Sequence, residues 1–241
     1  GFLEVMNKNN HINYEKNLRL IYMEYVAFKI AENSNWDFAE LDSFLSDFIS
    51  GNNRRKKAIS MLKKIWISRT RIQNKALLLL PDLSEQERIF IYWGILCYTY
   101  PFFKQIARTL GRHFLTQKRI KTTQVKRRIK EFYGDRRYVE VGAEEVITTI
   151  KDWGLIKMVT PSLYVAPSKI EINSPVLINW ILETLLASSE MSVNPYPAII
   201  NTPELFPFEI KANTHEVKKS DLFEIEKHGV DQKMISLKNT N

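Results

Sequence analysis

The stretch that decides the fold runs from Thr122 to Ala166, TTQVKRRIKEFYGDRRYVEVGAEEVITTIKDWGLIKMVTPSLYVA. Its opening, VKRRIKEF, sets Val125, Ile129 and Phe132 at helical spacing toward a core, with Thr122 or Thr123 placed to cap the helix. Gly134-Asp135 breaks it. A second helix is expected over Val139 to Trp153, with Val146, Ile150 and Trp153 on one face and Gly154 as its stop. Leu155 to Val159 and Leu163 to Ala166 are short apolar runs around Thr160-Pro161-Ser162, the pattern of a β-hairpin. Short helices followed by a small hairpin is the order of a winged helix, which is the expectation for residues 118–172.

Toward the N-terminus the pattern is helical throughout. Asn13 to Ala31 carries Leu18, Ile21, Tyr22, Tyr25, Val26 and Ile30 on one stripe, and Phe38, Leu41, Phe44, Leu45 and Phe48 repeat the spacing up to Ser50-Gly51-Asn52. Arg54 to Ser68 is the next helix. Ser84 and Glu87 form a capping box ahead of a charge-free run, Ile89 to Phe103, and Pro101 opens a helix that turns Phe102, Phe103, Ile106, Leu110 and Phe114 inward. A helical bundle is therefore expected over 13–117. Beyond the hairpin, Ser174-Pro175 starts an apolar helix through Leu186, and Pro195, Pro197, Pro203 and Pro207 forbid a continuous one after it. Phe208 to Ile210 and Leu222 to Ile225 read as short strands, and His228-Gly229 as a turn. The expected fold class is mainly α: an N-terminal bundle, a winged-helix-like segment, and a small α+β tail over 173–241 whose last residues, Lys238 to Asn241, are loose.

Eight glycines in 241 residues argue against a fold of many tight hairpins. The sole cysteine, Cys97, excludes an intramolecular disulfide and lies in an apolar run, where a buried inert thiol and a cytoplasmic location are expected. The run Ile89 to Phe103 is shorter than the roughly 20 residues that cross a bilayer, so it reads as a core helix and no membrane partner is expected. No secretory signal pattern is expected at the N-terminus.

Charge is distributed unevenly. The chain holds 35 Lys/Arg and 27 Asp/Glu, a net of +8, but Gly51 to Arg137 alone holds 22 basic and 5 acidic residues, a net of +17. Such a field attracts a polyanion at long range and strengthens binding through counterion release. Lys104, Arg108 and Arg112, at i, i+4 and i+8, line one helix face with no acidic residue among them. Lys118, Arg119, Lys121, Lys126, Arg127, Arg128, Lys130, Arg136 and Arg137 follow, and Arg54, Arg55, Lys56 and Lys57 form a second cluster at a helix start, where cations oppose the helix dipole. In a winged helix the second helix of the turn unit enters the major groove. Here that helix carries Glu140, Glu144, Glu145 and Lys151, a poor surface for reading bases. Phosphate contacts with weak sequence preference are expected instead.

Catalytic patterns are missing. His11, His113, His215 and His228 are scattered, no zinc set can be assembled around Cys97, and the glycines never cluster into a phosphate loop. Pro81-Asp82 and Glu209-Ile210-Lys211 crudely echo a restriction-nuclease pattern, but they lie over a hundred residues apart and Pro81-Asp82 heads a helix. No catalytic residue, metal or cofactor is expected.

The succession NNRRKKAISMLKKIWI (52–67), ERIFIYWGILCYTYPFFKQIARTLGRHFL (87–115), TTQVKRRIKEFYG (122–134) and EEVITTIKDWGLI (144–156) resembles the small BrxA-type proteins of BREX phage-defence systems over roughly Asn13 to Val159. That resemblance implies a compact helical DNA-binding protein, without catalysis of its own, working beside other defence-system proteins; the segment after Asn173 departs from the pattern. The expected function is non-enzymatic binding of double-stranded DNA. The alternative is a structural adaptor whose basic face binds an acidic protein partner.

Overall fold

Where apolar spacing is the only influence on a segment, this chain follows it; where a segment finds stronger partners elsewhere, it does not. The computed structural model describes residues 12–68, 70–212, 217, 220–229 and 232–238. His11, His215 and the tail beyond Lys238 lie outside them. The first helix, α1 (Leu20–Glu32), buries Tyr22, Met23, Val26, Ala27 and Ile30. It starts later than the spacing predicts, because residues 13–19 are taken up by other contacts. The Tyr14 hydroxyl lies 2.9 Å from Thr149 Oγ1, the Leu18 N–H donates to that same oxygen at 2.9 Å, and the Asn17 N–H donates to the Glu145 carboxylate at 2.7 Å. The last two bonds satisfy backbone donors that a helix would have satisfied internally.

Helix α2 (Leu41–Ser46) covers only part of the predicted stretch, since Phe38 adopts a left-handed φ of 66° that ends any helix there. Helix α3 (Asn52–Ile67) is followed by α4 (Arg71–Leu79), which the pattern reading missed although Thr70 and Gln73 form a capping box at its start. Helix α5 (Glu85–Thr99) opens on the expected Ser84–Glu87 box and buries every residue from Ile89 to Cys97. A helix apolar on all sides belongs at the centre of a core. No helix among the described residues is long and apolar enough to cross a membrane.

Pro101 sits at the first position of α6 (Pro101–Thr116), which buries Phe102, Phe103, Ile106 and Leu110, while Phe114 is half-buried. There follow β1 (Arg119–Lys121), α7 (Thr122–Tyr133), α8 (Arg137–Asp152), β2 (Lys157–Thr160) and β3 (Leu163–Val165). The three strands form one antiparallel sheet in the order β1-β3-β2. Neither threonine caps α7. Lys121 holds the cap position, its N–H donating to Gln124 Oε1 at 2.8 Å, while the Thr122 N–H donates to Ser162 O at 3.0 Å and ties the helix to the β2–β3 turn. Val125 and Ile129 face inward as expected, but Phe132 is 45% exposed and Tyr133 takes the core position, its ring 4.9 Å from Phe102. Phe132 lies instead beneath the Arg128 guanidinium at 5.0 Å.

Helix α8 ends as its sequence demands. Gly154 has φ +72°, its N–H donates to Lys151 O at 2.8 Å, and the Leu155 N–H reaches back to Ile150 O at 3.1 Å. That pair of bonds is the Schellman motif.

The remaining chain contributes β4 (Ile170–Ile172), α9 (Pro175–Ala187), β5 (Val193–Pro195), α10 (Tyr196–Ile200), a 3₁₀ turn (Pro203–Leu205), β6 (Phe208–Ile210), β7 (Phe223–His228) and β8 (Gln232–Leu237). Strands β4 and β6 pair in parallel, and β5-β8-β7 form a second antiparallel sheet. The strands β1, β4 and β5 have no counterpart in the sequence reading. One apolar cluster runs from Tyr14 to Ile235, so bundle, turn unit and tail share a core.

Candidate nucleic-acid interface

The three cations of α6 do lie at successive turns, but they do not form a free stripe. The 3₁₀ turn packs onto α6 at Gly111, where an added Cβ would sit 1.8 Å from Pro203 O. Only glycine permits that approach. It delivers Glu204, 2% exposed at its side chain, to Arg108, whose Nε and Nη2 reach the two carboxylate oxygens at 2.9 and 3.2 Å. Lys104 stands 3.9 Å from the same carboxylate and donates to Ser188 Oγ at 3.2 Å. Burial pushes the Glu204 carboxyl up, but the Thr202 hydroxyl and the Arg108 guanidinium outweigh it and hold it below the usual carboxylate range. The expectation of an unneutralised stripe is thereby corrected: a carboxylate from the tail enters it, and only Arg112 remains exposed without an ion-pair partner among the described residues. Stranding Glu204 would cost about 3–5 kcal/mol, so Arg108 is a structural cation before it is a ligand-binding one.

The cations of α7 are matched as well. Lys126 meets Glu144 at 3.0 Å, Arg128 meets Glu131 at 2.6 Å, Arg127 stands 4.0 Å from Glu131, and Lys130 meets both Asp135 at 2.8 Å and Glu140 at 2.6 Å. Hydrogen bonds donated by the Lys130 ammonium to Asp135 and Glu140 raise its pKa to about 12. Of the acidic residues that make α8 a poor base reader, Glu140 and Glu144 are thus partners of α7, while Glu145 holds the segment at Lys16 and Asn17. Over Thr122 to Trp153 seven basic residues face six acidic ones, a net of +1. These pairs lie at the surface, where solvent screens them, so they lower the local field more than they lock the helices.

Strand β1 keeps its charge. Arg119 and Lys121 are exposed while Ile120 between them is buried, so the two cations share the outer face. The register adds one that the sequence reading passed over. Arg119 pairs with Val165, and Val165 pairs on its other side with Lys157 of β2, so Lys157 projects from the same face. Two strand spacings separate Arg119 from Lys157, about 10 Å. Lys118 is exposed just before the strand. None of these four has a carboxylate within ion-pair distance among the described residues. The period-two alternation of RIK was the available signal, but no single-sequence feature says which strands lie side by side.

Arg136 and Arg137 are exposed where α8 begins; Arg136 donates to Tyr133 O at 2.8 Å and covers the Tyr138 ring at 4.8 Å. At the start of α3, Arg55 is held by Asp42 at 2.9 Å and by Ile49 O, whereas Arg54, Lys56 and Lys57 are exposed. Among the described residues no three His, Cys, Asp or Glu side chains converge as metal ligands. Asp82 lies in a 3₁₀ turn after α4, and Glu209 pairs with Lys211. Cys97 is buried, and burial drives its thiol pKa well above the ordinary value. No protein-family model, curated protein or solved structure matches the chain.

Proposed function

We propose that this chain is a non-enzymatic double-stranded-DNA-binding accessory protein that contacts phosphates through the outer face of its β1-β3-β2 sheet. The observation that carries the reading is Lys118, Arg119, Lys121 and Lys157 around one small sheet, exposed and without carboxylate partners among the described residues, beside helices whose own charges cancel. The order α6, β1, α7, α8, β2, β3 with β1 hydrogen-bonded to β3 supports a winged-helix reading of this region. Arg136 and Arg137 add charge at the start of the helix that such a fold presents to a groove. A role beside other phage-defence proteins rests on the resemblance of residues 13–159 to BrxA-type proteins and on nothing else.

An adaptor reading has an observation of its own. Phe132, Tyr138 and Val141 are all exposed by 43% or more on α7 and α8, and exposed apolar side chains on neutral helices suit a protein contact.

The test compares free with paired cations by titrating a mixed-sequence 20-base-pair duplex. Arg119→Glu, Lys121→Glu and Lys157→Glu together should lower affinity by at least a hundredfold, while Arg127→Glu and Arg128→Glu should lower it less than tenfold. Equal losses from the two sets would remove the sheet face from the proposal, and no duplex binding at low salt would leave the adaptor reading standing.

A further inference from the structure

The cationic segments of this chain fare differently on folding. Glu204 enters the stripe on α6, and carboxylates around α8 answer the cations of α7, but α3 keeps its charge. Its sixteen residues hold six cations and no carboxylate, and only Arg55 finds one elsewhere, Asp42 of α2. Surface lysines ordinarily stand among opposite charges that offset their repulsion. Here the excess remains on one face.

Helical geometry orders that face. Ala58, Met61, Leu62, Ile65 and Trp66 turn to the core. Away from them, Lys56, Lys57, Lys63 and Lys64 each lie three or four residues from the exposed Ser60, so two lysines flank that small hydroxyl one turn before it and two one turn after. The two pairs are about 10 Å apart along the axis. None of the four meets a carboxylate within ion-pair distance among the described residues. The Lys63 and Lys64 ammonium groups rest on rings, 5.6 Å from the centre of Phe38 and 5.1 Å from that of Tyr100, contacts that steady them without neutralising them. Asp37, which shares a hollow with Lys63, accepts instead from the Ala39 N–H at 2.9 Å.

The chemistry of the face narrows its occupant. Ile67 is the stripe's one exposed apolar member, too little to enter a lipid layer. Lysines present compact point charges on flexible stems, which suits phosphates met singly along a backbone. Tyr100, beneath Lys64, immediately precedes α6, and Lys118 and Arg119 follow the far end of that helix, so about 24 Å of helix separates this face from the sheet. We propose that the outer face of α3 is a second phosphate-contacting surface for double-stranded DNA, with Lys56, Lys57, Lys63 and Lys64 meeting the backbone around Ser60. The surface rests on the DNA-binding reading but does not depend on the sheet face.

Cys97 is the chain's only cysteine and is buried, so Ser60→Cys supplies a single reactive thiol at the centre of the face. At low salt, a saturating mixed-sequence 20-base-pair duplex should slow alkylation of that thiol by N-ethylmaleimide at least fivefold. In the otherwise wild-type chain, Lys56→Gln, Lys57→Gln and Lys64→Gln together should make the slope of log affinity on log salt shallower by about 3. Lys169→Gln, Lys227→Gln and Lys238→Gln remove the same charge from exposed positions outside both surfaces and should change it by less than about 1. Unslowed alkylation with duplex bound, or equal changes in slope from the two sets, would overturn the α3 surface and leave the sheet face standing. Slowed alkylation with no loss of affinity from the sheet substitutions would do the reverse. Protection by poly-glutamate as strong as that by duplex would overturn the proposal in favour of an acidic protein partner.

Discussion

Glu204 shows how much one residue can change the reading of a charged surface. Read along the chain, Lys104, Arg108 and Arg112 are unopposed; in the fold, a carboxylate 96 positions beyond Arg108 occupies its guanidinium fork. Glu204→Gln removes the charge but keeps the shape, and should destabilise the protein by about 3 kcal/mol, measured by urea unfolding at neutral pH. Because the folded carboxyl titrates below its ordinary value of 4.5, its stabilisation is present above that pH and fades as the pH falls through the folded pKa. The wild type should therefore lose its advantage over Glu204→Gln in unfolding experiments taken progressively below pH 4.5. Gly111 is the other half of the same device. Gly111→Ala drives a methyl group into Pro203 O and should cost about 1–3 kcal/mol, with lost near-ultraviolet signal from the adjacent Trp93. Neither residue was legible in the sequence: a helical glycine and a distant glutamate carry no mark of each other.

At the scale of elements, the best-read parts are those whose ends are written locally. The break at Gly134, the stop at Gly154 and the Ser84–Glu87 box each depend on residues within one turn, and each stands where the sequence places it. Gly154 has open space around its missing Cβ, so Gly154→Ala tests backbone strain alone. It should cost about 1–2 kcal/mol in thermal unfolding, and a neutral result would deny the left-handed cap its role. The poorly read parts are short or borrow their partners. Strands of three residues, such as β1 and β4, exist only because β3 and β6 lie beside them. Residues 13–19 give up helix because Thr149, Glu145 and the Trp153 indole offer hydrogen bonds from far along the chain. Phe132 and Tyr133 both fit the helical spacing of α7, and contact with Phe102 selects the tyrosine.

For the whole molecule, the net charge of +17 between Gly51 and Arg137 is arithmetic on a window, and its edge falls just before Glu140 and Glu144. Folding sets those carboxylates, with Asp42 and the distant Glu204, against cations inside the window. The DNA-binding proposal consequently expects a shallow salt dependence. Contacts from the four sheet-face cations alone give a slope of log affinity on log salt of about −4, against about −20 if every cation of the basic segment met a phosphate. Titrations at four salt concentrations distinguish the two. By itself the sequence determined the mainly helical class, the central apolar helix, the order of helices and hairpin, and a surplus of positive charge, because spacing, caps and composition act over a few residues. Which cations remain free and which strands adjoin were decided only in three dimensions, because ion pairs and sheet register join residues that the chain holds far apart.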